Sequence, residues 1–139
     1  MNRRNRQAGS ALIELAGSLI LLMTLLTGIF QTGYTFYTYE NLVHAVRAGA
    51  RYASLGVPGS SNDSAFATSV RNLVVYGDPQ ARGGRPIVPG LAPEQVDVVL
   101  EPAAATVSVR GFVIDALFAK VHLNGRPTVT FPVTAGGSR

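Results

Sequence analysis

The sequence contains no cysteine, and only 14% of its 139 residues are charged. The absence of cysteine excludes a disulfide framework, a thiolate nucleophile and a cysteine metal site. The low charge, combined with an apolar content of 47%, excludes a disordered chain and a polybasic nucleic-acid binder. A chain of this length can form one domain and a membrane anchor, but not two large hydrophobic cores.

The sequence also lacks the common catalytic and cofactor motifs. It has no Gly-x-Ser-x-Gly elbow, no His-Glu-x-x-His zinc motif, no phosphate-binding loop and no calcium loop. His44 and His122 are the only histidines, and the six acidic residues that follow Glu40 are scattered over predicted loops and strands. We therefore predict no catalytic residue, no metal site, no cofactor and no small-molecule substrate.

The formal charge of +4 is concentrated at the N-terminus. Arg3, Arg4 and Arg6 lie within residues 1–9, and without them nine basic and eight acidic residues remain. The basic character therefore belongs to this short segment, which we interpret as a cytoplasmic leader. A nucleic-acid partner is not predicted.

No charged residue occurs in residues 15–39, and no proline precedes Pro58. These 25 uncharged residues exceed the roughly 20 that are needed to cross a bilayer. The leader arginines precede the run and Glu40 follows it, which predicts a cytoplasmic N-terminus and an exported remainder. An aromatic cluster marks the predicted exit from the bilayer; it consists of Tyr34, Phe36, Tyr37 and Tyr39.

Three interpretations of this segment compete. A secretory signal peptide needs a small-x-small cleavage site beyond the apolar run, and the aromatic residues there disfavour it. A permanent single-pass anchor explains the hydrophobicity, but it gives no role to Gly9 and Glu14. Cleavage after Gly9 would create an amino group on Ser10, one helical turn before Glu14. That amine could pair with the glutamate of a neighbouring chain and fix the register between them. Glu14 alone also fits an interfacial carboxylate stabilised by the helix dipole.

One long helix is predicted over residues 10–55, about 65 Å in length, with its first half in the membrane. Beyond the membrane it becomes amphipathic. The predicted apolar face consists of Tyr39, Val43, Val46, Ala50 and Ala53, and the opposite stripe of Glu40, His44, Arg47 and Arg51.

Residues 56–139 are predicted to form an exported α+β domain. A loop at 56–62 precedes a helix at 64–75, and an irregular connection follows at 78–93, with four prolines and three glycines. We predict a hairpin of strands 96–100 and 106–113, a short helical turn at 114–121 and an edge strand at 128–133. The predicted fold class is α+β, with the outer half of the long helix covering a small antiparallel sheet.

The opening motif resembles a known processing site. Gly9, followed by Ser10-Ala11-Leu12-Ile13-Glu14, is similar to the site at which prepilin peptidase cuts type IV prepilins, after the glycine. The longer stretch from Gln7 to Ala53 resembles the TadE-like family of the tight-adherence (Flp-type) pilus system. The string Gly49-Ala50-Arg51-Tyr52-Ala53 is its most recognisable part.

The resemblance implies a pilin-like fold and a structural, non-enzymatic role as a minor pilin or pseudopilin. Gly9 and Ser10 would form the processing site, Glu14 would act in assembly, and Arg3, Arg4 and Arg6 would hold the leader in the cytoplasm. Implied partners are the membrane, prepilin peptidase, other pilin or pseudopilin subunits and the inner-membrane assembly platform. The implied location is the bacterial inner membrane, and a surface pilus after assembly. The alternative is a permanently anchored envelope protein with an exported binding domain.

Overall fold

The computed structural model describes residues 3–56, 63–82, 84–116 and 118–133, with side chains described from Gly9 onward and, in the second range, from Ser64. The two helices are α1 (Arg3–Ser54) and α2 (Asp63–Tyr76), and a short 3-10 turn covers Pro93–Gln95. The five strands are β1 (Val96–Leu100), β2 (Ala104–Val109), β3 (Phe112–Asp115), β4 (Lys120–Leu123) and β5 (Thr128–Pro132).

Helix α1 is continuous over 52 residues, because no proline interrupts its hydrogen bonds. It begins at Arg3, inside the predicted leader, and therefore earlier than residue 10. It ends where the hydroxyl of Ser54 donates to the carbonyl of Arg51 at 2.8 Å. The predicted loop at 56–62 lies outside the described residues except for Gly56.

Strands β1, β2 and β5 form one antiparallel sheet in the order β1-β2-β5. The central strand alternates strictly, because Ala105, Val107 and Val109 are buried while the residues between them are half-buried. On the outer face, the hydroxyls of Thr106 and Thr130 hydrogen-bond across β2 and β5 at 2.9 Å. The predicted edge position of the last strand is confirmed, since β5 pairs with β2 alone.

The predicted strand 106–113 and the predicted helical turn 114–121 are wrong. Strand β2 ends at Val109, and the chain turns at Gly111, whose φ of 66° favours glycine. Arg110 fixes this break, because its N–H donates to the carbonyl of Gln95 at 2.8 Å and its guanidinium lies 2.7 Å from Asp97. The chain then forms a separate two-stranded hairpin of β3 and β4, in which Ile114 pairs with Val121.

The outer half of α1 covers the sheet, which confirms the predicted α+β fold. Val46, Ala50 and Ala53 of the predicted apolar face are buried, whereas the stripe from Glu40 to Arg51 is exposed. Both α1 and α2 pack on the sheet, and the 78–93 connection also contributes to the core. The fully buried members of that core include Leu42, Val46, Val70, Val74, Val75, Val88, Val96, Val107, Val109, Phe112 and Ile114.

The string Gly49–Ala53 forms the crossing between α1 and α2. A Cβ at Gly49 would overlap Cγ2 of Val74, so the two helices approach as closely as glycine permits. Beside this contact, the rings of Tyr52 and Phe66 stack with their centroids 5.5 Å apart. The most recognisable part of the family resemblance is therefore a packing contact of this fold.

We expect Gly49→Ala to destabilise the α+β domain. Overpacking costs about 1–3 kcal/mol, and the stiff χ1 of the buried Val74 limits its escape. The better helix propensity of alanine returns only about 1 kcal/mol. Thermal unfolding of the full chain in detergent, followed by circular dichroism, measures the difference. Gly33→Ala is the matched control, because nothing lies within 4 Å of its added methyl group. Equal melting temperatures for the two variants would contradict the proposed crossing.

Candidate functional site on the long helix

The N-terminal, apolar half of α1 makes few contacts with the rest of its own chain. Every residue from Gly9 to Leu26 is exposed. The helix over Gly9–Ser54 contains a candidate membrane span, and no part of its most apolar stretch is buried in the protein. Leu12, Ile13, Leu15 and Ile20 are each more than 60% exposed. Such a continuous apolar surface is much larger than soluble monomers expose, which indicates contact with lipid or with other apolar helices.

Three threonine hydroxyl groups of the uncharged run donate hydrogen bonds within the helix itself. Thr24 donates to the carbonyl of Ile20 at 2.8 Å, and Thr32 donates to that of Gly28 at 2.9 Å. Thr35 makes the same contact with Gln31. Hydrogen bonds that close within a single helix suit an environment without water, because no polar group then needs an external partner.

Gly9 lies inside α1, and the fold does not require a glycine there. Nothing lies within 4 Å of a Cβ built at this position, in contrast to Gly49. A glycine within a helix costs about 1 kcal/mol relative to alanine. The reason for glycine at this position therefore lies outside the packing of the described chain.

Glu14 is exposed on the same helix face as Ser10, one turn further along. Among the side chains that the structure describes, none forms an ion pair or hydrogen bond with its carboxylate. The backbone of Arg3, Arg4 and Arg6 belongs to the first turns of α1, but their side chains lie outside the described part of the molecule. The structure thus brings Ser10 and Glu14 together and gives Glu14 no function in the described fold.

A polar stripe links the apolar half of α1 to the α+β domain, and the sequence interpretation missed it. Thr27, Gln31, Thr35 and Thr38 share one face and are the first residues of α1 to be shielded. Oε1 of Gln31 accepts a hydrogen bond from the backbone N–H of Phe118 at 2.9 Å. The helical spacing of these four polar residues could have indicated a shared face. The sequence analysis missed it because these residues lie within the uncharged run.

In the described ranges, no three His, Cys, Asp or Glu residues come together as metal ligands. His44 lies exposed on α1 between Glu40 and Arg47, and His122 lies exposed on β4. The exposed half of α1 offers a partner an apolar surface and one carboxylate, that of Glu14.

The family model described as TadE-like protein matches residues 9–51, from Gly9 to the α1–α2 crossing. This match confirms the resemblance seen in the sequence. The match covers less than half of the chain and does not include the sheet. No curated protein and no solved structure matches.

Proposed function

We propose that this chain is a minor pilin-like (pseudopilin) subunit of a tight-adherence pilus assembly system. Prepilin peptidase cuts it between Gly9 and Ser10, and its exposed helix then packs against other pilin helices. The proposal rests on Gly9 and Glu14, because the described fold needs neither side chain. Both residues lie at the start of the half of α1 that the rest of the chain leaves exposed. Neither residue serves the described fold, so a partner is the natural reason for both.

The proposed orientation follows from charge. Arg3, Arg4 and Arg6 keep the leader in the cytoplasm, because positively charged flanks resist export. The exported domain then lies on the opposite side of the inner membrane, attached to the outer half of α1. In this arrangement the peptidase meets the Gly9–Ser10 bond near the cytoplasmic membrane surface.

Cleavage changes the electrostatics at the start of α1. The new α-amino group of Ser10 adds a positive charge where the helix dipole is already positive, and Glu14 lies about 6 Å further along the axis. If a neighbouring subunit is displaced by about 6 Å away from the cytoplasm, its Ser10 amine lies at the same depth as the Glu14 carboxylate of this subunit. Pairing in a low-dielectric bundle then fixes the axial offset between subunits, because an unpaired buried charge is costly.

The packing of the exported domain leaves the apolar half of α1 free for this role. The sheet and α2 use only the outer half of the helix. Residues 9–26 remain exposed on all faces. One segment can therefore exchange lipid contacts for contacts with neighbouring helices, without unfolding the exported domain.

Co-expression of the full chain with a prepilin peptidase, in a host that lacks one, tests the proposal by intact-mass analysis of the membrane-extracted protein. We expect loss of residues 1–9 with the active peptidase and no loss with a catalytically inactive one. A full-length chain in both samples would support the permanent anchor instead. Cleavage beyond Phe30 would identify a secreted protein released by signal peptidase.

A further inference from the structure

The β3–β4 hairpin lies alongside α1, with its tip directed toward the apolar half of the helix. The backbone N–H of Phe118, at the tip, donates to Oε1 of Gln31 at 2.9 Å. Where β3 enters the turn of the hairpin, Asp115 and Ala116 border a groove with residues of α1 between Leu26 and Tyr34. Phe118 borders a second groove, whose other walls are Leu19, Ile20, Met23, Thr24 and Thr27.

The position of this tip along α1 is the important point. If the membrane span begins near Leu12, about 20 residues bring the outer edge of the hydrocarbon layer to Gln31. The helix residues that share a groove with Phe118 lie between Leu19 and Thr27. At 1.5 Å per residue, these residues are about 6–18 Å deeper than Gln31. The Phe118 ring therefore lies deeper along the membrane part of α1 than the hydrogen bond between its own backbone N–H and Gln31.

The chemistry of the tip matches that position. Phe118 is 74% exposed, the largest fraction among the described large apolar residues of the exported domain. Directly behind it, the amine of Lys120 lies 3.6 Å from the carboxylate of Asp115, and both side chains are exposed. An apolar tip followed by a lysine is the arrangement in which a side chain enters the acyl layer while an amine remains at the headgroups.

We propose that the β3–β4 hairpin dips into the outer leaflet of the bilayer beside α1, with Phe118 as its apolar anchor. This inference rests on the proposed function, in which α1 spans a membrane. Lipid is the occupant because the groove beside Phe118 is continuous with helix surface that the bilayer would surround. The hairpin then gives the exported domain a second membrane contact, which fixes its height and tilt above the surface.

The absence of tryptophan from the sequence allows a direct measurement of depth. Three single-tryptophan variants of the full chain are placed in phosphatidylcholine vesicles, with or without bromine on the lipid acyl chains. Phe118→Trp reports on the hairpin tip. Leu22→Trp, in the exposed apolar half of α1, is the membrane reference, and Leu55→Trp, at the far end of the helix, is the aqueous reference. Quenching by brominated lipid and by aqueous iodide is recorded for each variant.

We expect Phe118→Trp to lose fluorescence in brominated lipid, as Leu22→Trp does, and to resist iodide, unlike Leu55→Trp. If Leu22→Trp is quenched while Phe118→Trp behaves like Leu55→Trp, the hairpin inference is overturned and the membrane span stands. Protection of position 118 from both quenchers would mean that protein covers the tip, which also overturns the inference. If Leu22→Trp itself escapes quenching by lipid, the spanning helix fails, and the hairpin inference fails with it.

Discussion

Replacing Gly9 with leucine is expected to leave the chain uncut at its N-terminus. A leucine side chain next to the scissile bond displaces that bond from the attacking group of the peptidase, and a displacement of about 1 Å costs roughly a hundredfold in rate. The fold itself tolerates a side chain there, because nothing lies within 4 Å of the built Cβ. Loss of cleavage in this variant therefore reports recognition of the site and not a folding defect. Intact mass after co-expression with prepilin peptidase measures it.

Gly17→Leu is the matched control for this experiment. It lies in the same exposed stretch of α1, and its Cβ would likewise meet nothing within 4 Å. We expect it to be cut at the wild-type rate. Normal cleavage of Gly9→Leu, or equal loss of cleavage in both variants, would remove the special role proposed for Gly9.

Glu14→Ala is expected to be processed normally but excluded from the assembled pilus. The substitution leaves the Ser10 amine of a neighbour unpaired in an apolar bundle, and breaking a buried pair costs about 3–5 kcal/mol. Since 1.4 kcal/mol corresponds to a factor of ten, incorporation should fall by more than about a hundredfold. Exposure of Glu14 in the free chain means that the variant should retain its own fold. The ratio of chain in sheared pili to chain in membranes, measured by immunoblot, gives the effect.

Two further substitutions separate charge from position. Glu14→Gln keeps the size of the side chain without the negative charge and should fail to assemble like Glu14→Ala. Glu40→Ala removes another exposed carboxylate of α1, beyond the predicted membrane span, and should assemble as the wild type does. Wild-type incorporation of Glu14→Ala would exclude the pairing role, even if Gly9 is shown to be the cleavage site.

The α-helical part of the fold could be predicted because its signals are local. The proline-free run, its hydrophobicity and the spacing of Val46, Ala50 and Ala53 each follow from adjacent turns of one helix. The exposed stripe with Arg47 and Arg51 follows from the same periodicity. Prediction of these features needed no knowledge of distant contacts.

The hairpin region was mispredicted because its geometry depends on residues far apart in the sequence. The alternation through residues 106–113 continues across Arg110 and Gly111. The contacts of Arg110 with Gln95 and Asp97, together with the positive φ of Gly111, show where the sheet ends. The contact between Gln31 and Phe118 joins residues 87 positions apart. No local pattern near Phe118 indicated that this residue would lie beside the apolar half of α1.

The glycines of α1 illustrate the same limit. Helix propensity alone treats Gly9 and Gly49 as equal breaks in the helix. The structure separates them, since Gly49 lies against Val74 of α2 and Gly9 lies in open space. A structural reason for one glycine and none for the other strengthens the proposal that Gly9 is recognised by a partner.

Carbodiimide cross-linking of assembled pili tests the central claim most directly, because it reports the cut and the pairing together. Lys120 is the only lysine, so the N-terminus is the only other primary amine of the chain. A lipid-soluble carbodiimide is applied to pili that contain a mixture of light and heavy nitrogen-labelled chains, and mass spectrometry identifies the joined peptides. We predict an amide between the Ser10 α-amine of one subunit and a glutamate of a neighbouring subunit, at Glu14 or at its counterpart in another pilin. Recovery of chains that still begin at Met1, or of Ser10 joined to no neighbouring glutamate, would contradict the account.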